Sequence, residues 1–356
     1  VVARLSKRPQ GSPPGWRRLH ADSVVWLLHD HFYHRLDANL AMRKGGVTAK
    51  VVVAVGDLAI YNDSGGEDDR AFYERTLAQV DGWAAESLVR LERARRLYES
   101  RSDRFVIACD AKDVIRAKRD AKAAVFLGLE GCKCFEGRIE LLDTFYRLGV
   151  RQMQLIWSNP NQLVQVGSSG AWTLSGFGRE AVAAMNELGI VIDLAHAPWS
   201  LFQDVVERSR HPVIVSHGAP LRAPGGSGDM GREHLEALKA CGGLLGLHFC
   251  RHYINGPFAT FEDFLAAVDF MVENGYEDIT ALGGDLFEDD GYFRARHPAP
   301  GGATHSTWSV FIEELSDISR LPNLTRALLA RGYPQSTIRK TLGRNALRVY
   351  RRVLGG

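Results

Sequence analysis

No apolar run in this chain of 356 residues approaches the ~20 residues that a membrane-spanning helix needs, so no membrane partner is expected. Charge of one sign is missing too. Lys and Arg number 44 and Asp and Glu 42, a net +2, and such a balance gives no footing for nucleic acid. Cysteine is scarce: Cys109, Cys132, Cys134, Cys241 and Cys250. An odd count without framework spacing excludes a disulfide scaffold and points to reduced thiols and a cytoplasmic location. Cys132-x-Cys134 alone is weak evidence of a metal site. No Gly-x-Gly-x-x-Gly follows the first apolar run, which argues against a dinucleotide-binding open sheet. Repeats, linkers and low-complexity stretches are absent as well. Residues 1–21 read as a loose basic arm without the apolar centre of a signal peptide; a leader removed ahead of Val1 is left open.

What remains is the make-up of a globular enzyme, 45% hydrophobic and 24% charged. The organising stretch is 190–218, IVIDLAHAPWSLFQDVVERSRHPVIVSHG. Two apolar runs each end in a histidine, His196 and His217, with an amphipathic helix between them. A strand–helix–strand unit of this kind forms a parallel, right-handed pair, which brings both histidines to one edge. Eight such runs occur, at 24–31, 51–55, 123–130, 150–157, 190–196, 213–217, 243–249 and 279–285. The run 105–109 is a small strand candidate, set aside from the eight because it is short and flanked by charge. Helical spacing covers 70–100, 112–119, 139–148, 177–188, 232–240, 261–273, 308–319, 324–331, 337–342 and 346–353, while 159–175 reads as a loop. The expected fold is α/β: a single-domain (β/α)₈ TIM barrel over 22–356, C-terminal helices included, with its active site at the carboxyl ends of the strands. A doubly wound sheet is the alternative.

The polar residues at those ends form a set. The first strand offers His29 and His31, the third Glu130, the fifth His196, the sixth His217 and the eighth Asp285. Residues two apart on a strand share a face, so His29 and His31 both point inward. Buried carboxylates are costly without partners, and a metal ion or a metal pair is the natural partner here. Two cations need an anion between them, for which Glu130 is the candidate. Imidazole and carboxylate ligands suit zinc, and manganese, iron or nickel also fit. His248 ends the seventh strand. As a lone histidine it reads first as packed or hydrogen-bonded, and second as lining the pocket. Asp193, inside a strand, should be paired and structural. Trp157 sits at a strand end and shapes the pocket; Asn159 follows it.

FLGLEG (126–131), YRLGVR (146–151), SGFGREAVAAMNELGIVIDLAH (175–196), PVIVSHG (212–218), ALGGD (281–285) and LPNLTRALLARGY with IRKTLGRNALRVY (321–350) carry a resemblance. From about residue 24 onward the chain resembles the membrane (renal) dipeptidase family of zinc metallopeptidases, within the amidohydrolase superfamily. The resemblance implies two Zn²⁺ ions per chain, bridged by Glu130. His29 and its partner two residues on would hold one, His196 and His217 the other. Asp285 would be the acid/base that moves a proton from the attacking water to the leaving amine. The substrate implied is a small molecule, a dipeptide or amino-acid amide, and a homodimer is compatible with it.

Three departures stand out. The family's His-x-Asp on strand one is His29-Asp30-His31 here. Its strand-four histidine, which polarises the substrate carbonyl, aligns with Trp157. Its carboxylate-binding arginine aligns near Gly228, with Arg222 or Arg232 as stand-ins. The expected function is therefore metal-dependent hydrolysis of a dipeptide or small amino-acid conjugate. The alternatives are the same fold acting on a lactam or N-acyl amino acid, or binding without dipeptidase activity.

Overall fold

The computed structural model describes residues 13–31, 41–56, 82–157, 160–222, 228–286 and 309–355. Residues 1–12, the first part of the helix expected at 70–100 and Asn159 lie outside the described residues.

Eleven strands are present among these residues, labelled in chain order: β1 Trp26–His29, β2 Ala49–Gly56, β3 Phe105–Ile107, β4 Ala123–Glu130, β5 Val150–Gln154, β6 Val164–Val166, β7 Trp172–Leu174, β8 Val191–Asp193, β9 Ile214–Gly218, β10 Leu244–His248 and β11 Thr280–Gly284. Eight of them pair in parallel in the order β2-β1-β11-β10-β9-β8-β5-β4, and β2 pairs with β4 to close the ring. The apolar runs thus became the eight strands of a (β/α)₈ barrel, with helices such as Gly176–Leu188, Trp199–Arg208, Arg232–Cys241 and Phe261–Glu273 outside. The helices fit their ends: Thr260 caps Phe261–Glu273 through a capping box, and Gly189 closes Gly176–Leu188 in the left-handed conformation. No helix among the described residues is long and apolar enough to cross a membrane.

The barrel interior is plugged from below by the C-terminal helix Asn345–Leu354. Tyr350 packs on Trp26 and Phe126 at ring distances of 4.5 and 5.2 Å. Ala346, Val349 and Val353 of that helix join Val51, Val191, Ile214, Leu244 and Ala281 from the strands in the same buried cluster. Above this apolar layer the interior is narrow and polar, with Gln152, Asp193 and Ser216 fully or almost fully buried. Glycine is required there: a Cβ at Gly246 would lie 2.0 Å from the Ser216 carbonyl oxygen.

The strand candidate at 105–109 forms β3, which lies outside the ring of eight and pairs with the start of β4 (Phe105↔Ala123 to Ile107↔Val125) below the point where β5 begins. Three residues suffice because they dock on an edge already in place. Two expectations are corrected. The loop read at 159–175 contains the antiparallel hairpin β6–β7, whose Leu174 N–H and Trp172 N–H are taken up by Asp204 and Ser200 of the helix Trp199–Arg208. The segment read as a helix at 308–319 is two single 3₁₀ turns, Glu313–Leu315 and Ile318–Arg320. Ile312 spends its N–H on the Phe249 carbonyl, and Asp317 is extended with its side chain on Ser319 N–H, so a continuous helix cannot form.

The arm read to residue 21 ends in a helix, Trp16–Asp22, tied down by His20. His20 Nε2 donates to the Gly45 carbonyl at 2.8 Å and Nδ1 sits 2.7 Å from Thr325 Oγ1. Burial lowers the pKa of His20 from 6.5. Below pH 6.5 the unfolded chain therefore binds a proton that the folded chain refuses, and stability falls as pH drops until the folded pKa is passed. Urea titrations at pH 7.5 and 5.5 are expected to show a smaller pH-dependent loss in His20→Gln than in the wild type. Identical losses would contradict this role.

Candidate metal centre

The expected ligands arrive together at the carboxyl ends of the strands. His29 ends β1, His31 follows it, Glu130 ends β4, His196 follows β8, and His217 lies in β9. One atom from each of His29, His31 and Glu130 lies within 4.8 Å of the others, and the same holds for Glu130, His196 and His217. His29 Nε2 and His31 Nε2 are 3.2 Å apart, and His196 Nε2 and His217 Nε2 2.9 Å. Glu130 divides its oxygens: Oε2 is 3.6 Å from His31, while Oε1 is 3.9 Å from His29 and 3.8 Å from His196.

Simple alternation would not have aimed these histidines correctly. Trp26 and Leu28 belong to the interior cluster, yet His29 also faces inward. Asp30 then turns away and pairs with Lys50 of β2 at 2.7 Å, both fully buried. Asp30 is thus not a ligand, and His31 takes the place that the family gives to an aspartate. On β9 the ladder to β10 slips between Val215 and Gly218, which lets both Ser216 and His217 face the site. Bulges commonly re-aim side chains beside functional sites. His196 and Asp285 adopt φ of +65° and +53°, a left-handed backbone that costs a non-glycine residue roughly 1–2 kcal/mol. Both residues are displaced from the strand direction into the pocket.

The electrostatics suit a cation. Burial holds the pKa of His29 and of His217 well below 6.5, and brings His196 down to about 4. Their imidazoles are neutral at pH 7 and offer lone pairs. Burial opposes charge on His31 as well, but Glu130 and Asp285 overrule it and raise its pKa to about 9. In Asp285 burial again favours the neutral form, and is outweighed by His217, His248 and His31, so the carboxyl ionises well below the usual range. The pocket therefore draws positive charge toward two carboxylates. A tetrahedral zinc ion with Zn–N bonds of 2.0–2.1 Å sets its ligand nitrogens roughly 3.3 Å apart, close to the spacing of both histidine pairs. The donor set fits two ions that share Glu130.

Asp285 lies just past β11 with Oδ1 3.0 Å from His31 Nε2 and 3.6 Å from His29 Nε2. Its other oxygen, Oδ2, is 3.0 Å from His248 Nε2. His248 Nδ1 accepts the Cys250 N–H at 3.0 Å, so the ring proton sits on Nε2, the nitrogen beside Asp285. His248 is thereby a hydrogen-bonded histidine, as its first reading held, and its partner is the acid/base candidate. Tyr253, which sequence reasoning missed, stacks on His248 at 4.3 Å; an aromatic five residues beyond a strand-end histidine carries no signal by itself. Trp157 borders the other side, edge-on to His196 at 6.3 Å. Arg222 donates to the carbonyls of Ile254 (3.0 Å) and Asp263 (3.4 Å), and Arg232 is exposed at the start of its helix. At Gly228 φ is +118° and a Cβ would lie 2.5 Å from the Pro220 carbonyl oxygen, so that backbone carries no side chain.

Comparison with known proteins places this geometry. The dipeptidase tcpJ of Claviceps purpurea (strain 20.1) is 30% identical over 262 residues, which cover 73% of this chain and 58% of that protein. Rat dipeptidase 3 is 28% identical over 240 residues, 65% of this chain and 45% of that one. This chain thus matches only part of the length of these relatives. An amidohydrolase of Pseudomonas aeruginosa, a solved structure, superposes with a TM-score of 0.77 and 26% identity, covering 96% of this chain and 99% of that one. Residues 39–295 and 301–354 match the family described as membrane dipeptidase, peptidase family M19. A closed parallel barrel, histidines paired around one glutamate and a match over most of the chain agree: this protein belongs to the membrane dipeptidase family.

Proposed function

We propose that the chain is a metal-dependent hydrolase, with zinc as the metal and two ions per chain, that cleaves the amide bond of a dipeptide or similar small amino-acid conjugate. The carrying observation is Glu130, whose carboxylate belongs to both histidine clusters, with Oε1 between His29 and His196 and Oε2 beside His31, and with Asp285 alongside. His29, His31 and Glu130 would hold one ion; Glu130, His196 and His217 the other. When bound, the pair supplies Lewis acidity, polarising a carbonyl and lowering the pKa of a water.

The rest falls to the protein. Asp285 Oδ2 lies 3.0 Å from His248 Nε2, which leaves Oδ1, the oxygen facing the histidines, to take the proton of the attacking water. As the C–O bond forms and the C–N bond breaks, the same oxygen returns that proton to the leaving nitrogen. Water is limited by the buried walls, and Trp157 offers a flat apolar surface beside His196.

Substrate choice follows from what the pocket offers a carboxylate. A charged group desolvated without a partner costs several kcal/mol by order of magnitude. The family meets that cost with an arginine, where this chain has Gly228, and Arg222 is engaged with two carbonyls. Weak turnover of Gly- and Ala-containing dipeptides is therefore expected, and better turnover of N-acyl or aromatic amino-acid amides. A substrate panel on zinc-loaded enzyme tests this. Simple dipeptides processed at ~10⁴ M⁻¹s⁻¹ or above in kcat/KM, within the ordinary enzyme range, would contradict it.

A further inference from the structure

A buried chain of hydrogen bonds climbs from the C-terminal helix to the metal centre. Tyr350 OH donates to Gln152 Oε1. Gln152 Nε2 donates to Asp193 Oδ2 at 3.0 Å. Asp193 Oδ1 accepts the N–H groups of Ala195 (3.1 Å) and Ser216 (2.9 Å). Ser216 Oγ lies 2.9 Å from His217 Nδ1 and 3.4 Å from His29 Nδ1.

Counting protons fixes the direction of each bond. His29 and His217 turn Nε2 toward their ligand clusters, so Nε2 must present its lone pair and Nδ1 must carry the hydrogen. Both Nδ1–H groups then meet Ser216 Oγ, whose two lone pairs accept them, the closer bond being that to His217. The single hydroxyl proton has to go elsewhere, and the Asp193 carboxylate, which already takes the N–H of the same residue, is the acceptor we assign to it. Turned the other way, the hydroxyl would donate to Nδ1. The ring proton would then move to Nε2, where it would repel a cation.

We propose that Ser216, its hydroxyl held by Asp193, is a positioning residue that sets the tautomer of one histidine in each of the two metal clusters. This rests on the metal reading of the site. It adds that the two clusters share a second partner below the plane of their ligands, besides Glu130 between them. Asp193 thereby gains a role beyond structural pairing.

The exchange Asp193→Asn is close to isosteric. Its amide can donate to Ser216 Oγ and so release the hydroxyl proton toward a histidine. An aspartate-to-asparagine exchange behind the histidine of a serine-protease triad acts by the same wrong-tautomer route. Two readouts on the full chain decide the matter. In chelator competition with zinc, Asp193→Asn and Ser216→Ala are expected to bind about 10- to 100-fold more weakly than the wild type, the usual effect of removing a ligand's supporting partner. Thermal unfolding checks that both variants fold. In ¹⁵N spectra of histidine-labelled protein, His217 of the wild type is expected to carry its proton on Nδ1, shifting to Nε2 in Asp193→Asn. Unchanged zinc affinity in both folded variants, or a wild-type His217 protonated on Nε2, would overturn the proposal. A wild type that binds no zinc would overturn the metal reading instead, and the ¹⁵N spectra would still test the tautomer.

Discussion

Glu130→Gln is expected to lose metal from both clusters at once and to lower turnover by roughly 10³-fold. The side chain is 2% exposed and its carboxylate approaches histidines of both pairs. Glutamine matches its volume but brings no negative charge, and one of its two ends is a donor that cannot ligate a cation. Losing a metal pair removes several kcal/mol of transition-state stabilisation, and ~4 kcal/mol at ~1.4 kcal/mol per tenfold gives that figure. A second sign follows without any metal. Burial opposes the charge on His31 and Glu130 is the first of the groups that raise its pKa to about 9, so the variant should titrate His31 at lower pH. Elemental analysis and an NMR titration read the two effects. Full metal content in the variant would remove Glu130 from its bridging place.

Asp285→Asn should behave differently, with kcat down by about 10²- to 10⁴-fold, the range attributed to a positioned acid/base, while the metal stays bound. Neither cluster counts Asp285 as a ligand, so its loss acts on the proton and not on the ions. Asparagine is the right probe because Asp285 has φ +53°, a left-handed backbone that asparagine tolerates and alanine does not. His248 Nε2–H would then face an amide that must present its oxygen, which fixes the flip. A KM close to that of the wild type with lowered kcat is the signature of a group acting in the transition state. Full activity in Asp285→Asn would end its assignment as the acid/base, and equal loss of metal would make it a ligand.

Most of the barrel was legible because its strands are short apolar runs that each end in a polar residue. The bounds of β4 matched the sequence, and the other seven differ by a few residues. All five candidate ligands and Asp285 could be located by asking what stands at those ends. What the sequence hid was local geometry. Period-two alternation from Trp26 and Leu28 would aim His29 outward, yet it faces the ligand cluster. The slip beside Ser216 turns His217 in. Lys50 was a missed signal: a lone cation inside KVVVAV demands a buried partner, and Asp30, between the two histidines, is that partner. Ser216 was invisible because a serine before a histidine has no signature until the Nδ1 distances are measured. The hairpin β6–β7 escaped because three-residue strands around a Gly-Ser-Ser-Gly turn are too short to show a period.

The central claim is that two ions sit either side of Glu130, and anomalous diffraction at the zinc edge from crystals of the zinc-loaded protein tests it most directly. The expected map has two peaks at the carboxyl end of the barrel, one bonded to His29, His31 and Glu130 and the other to Glu130, His196 and His217. A map with no peak at these side chains, or with zinc bound only elsewhere on the chain, would contradict it.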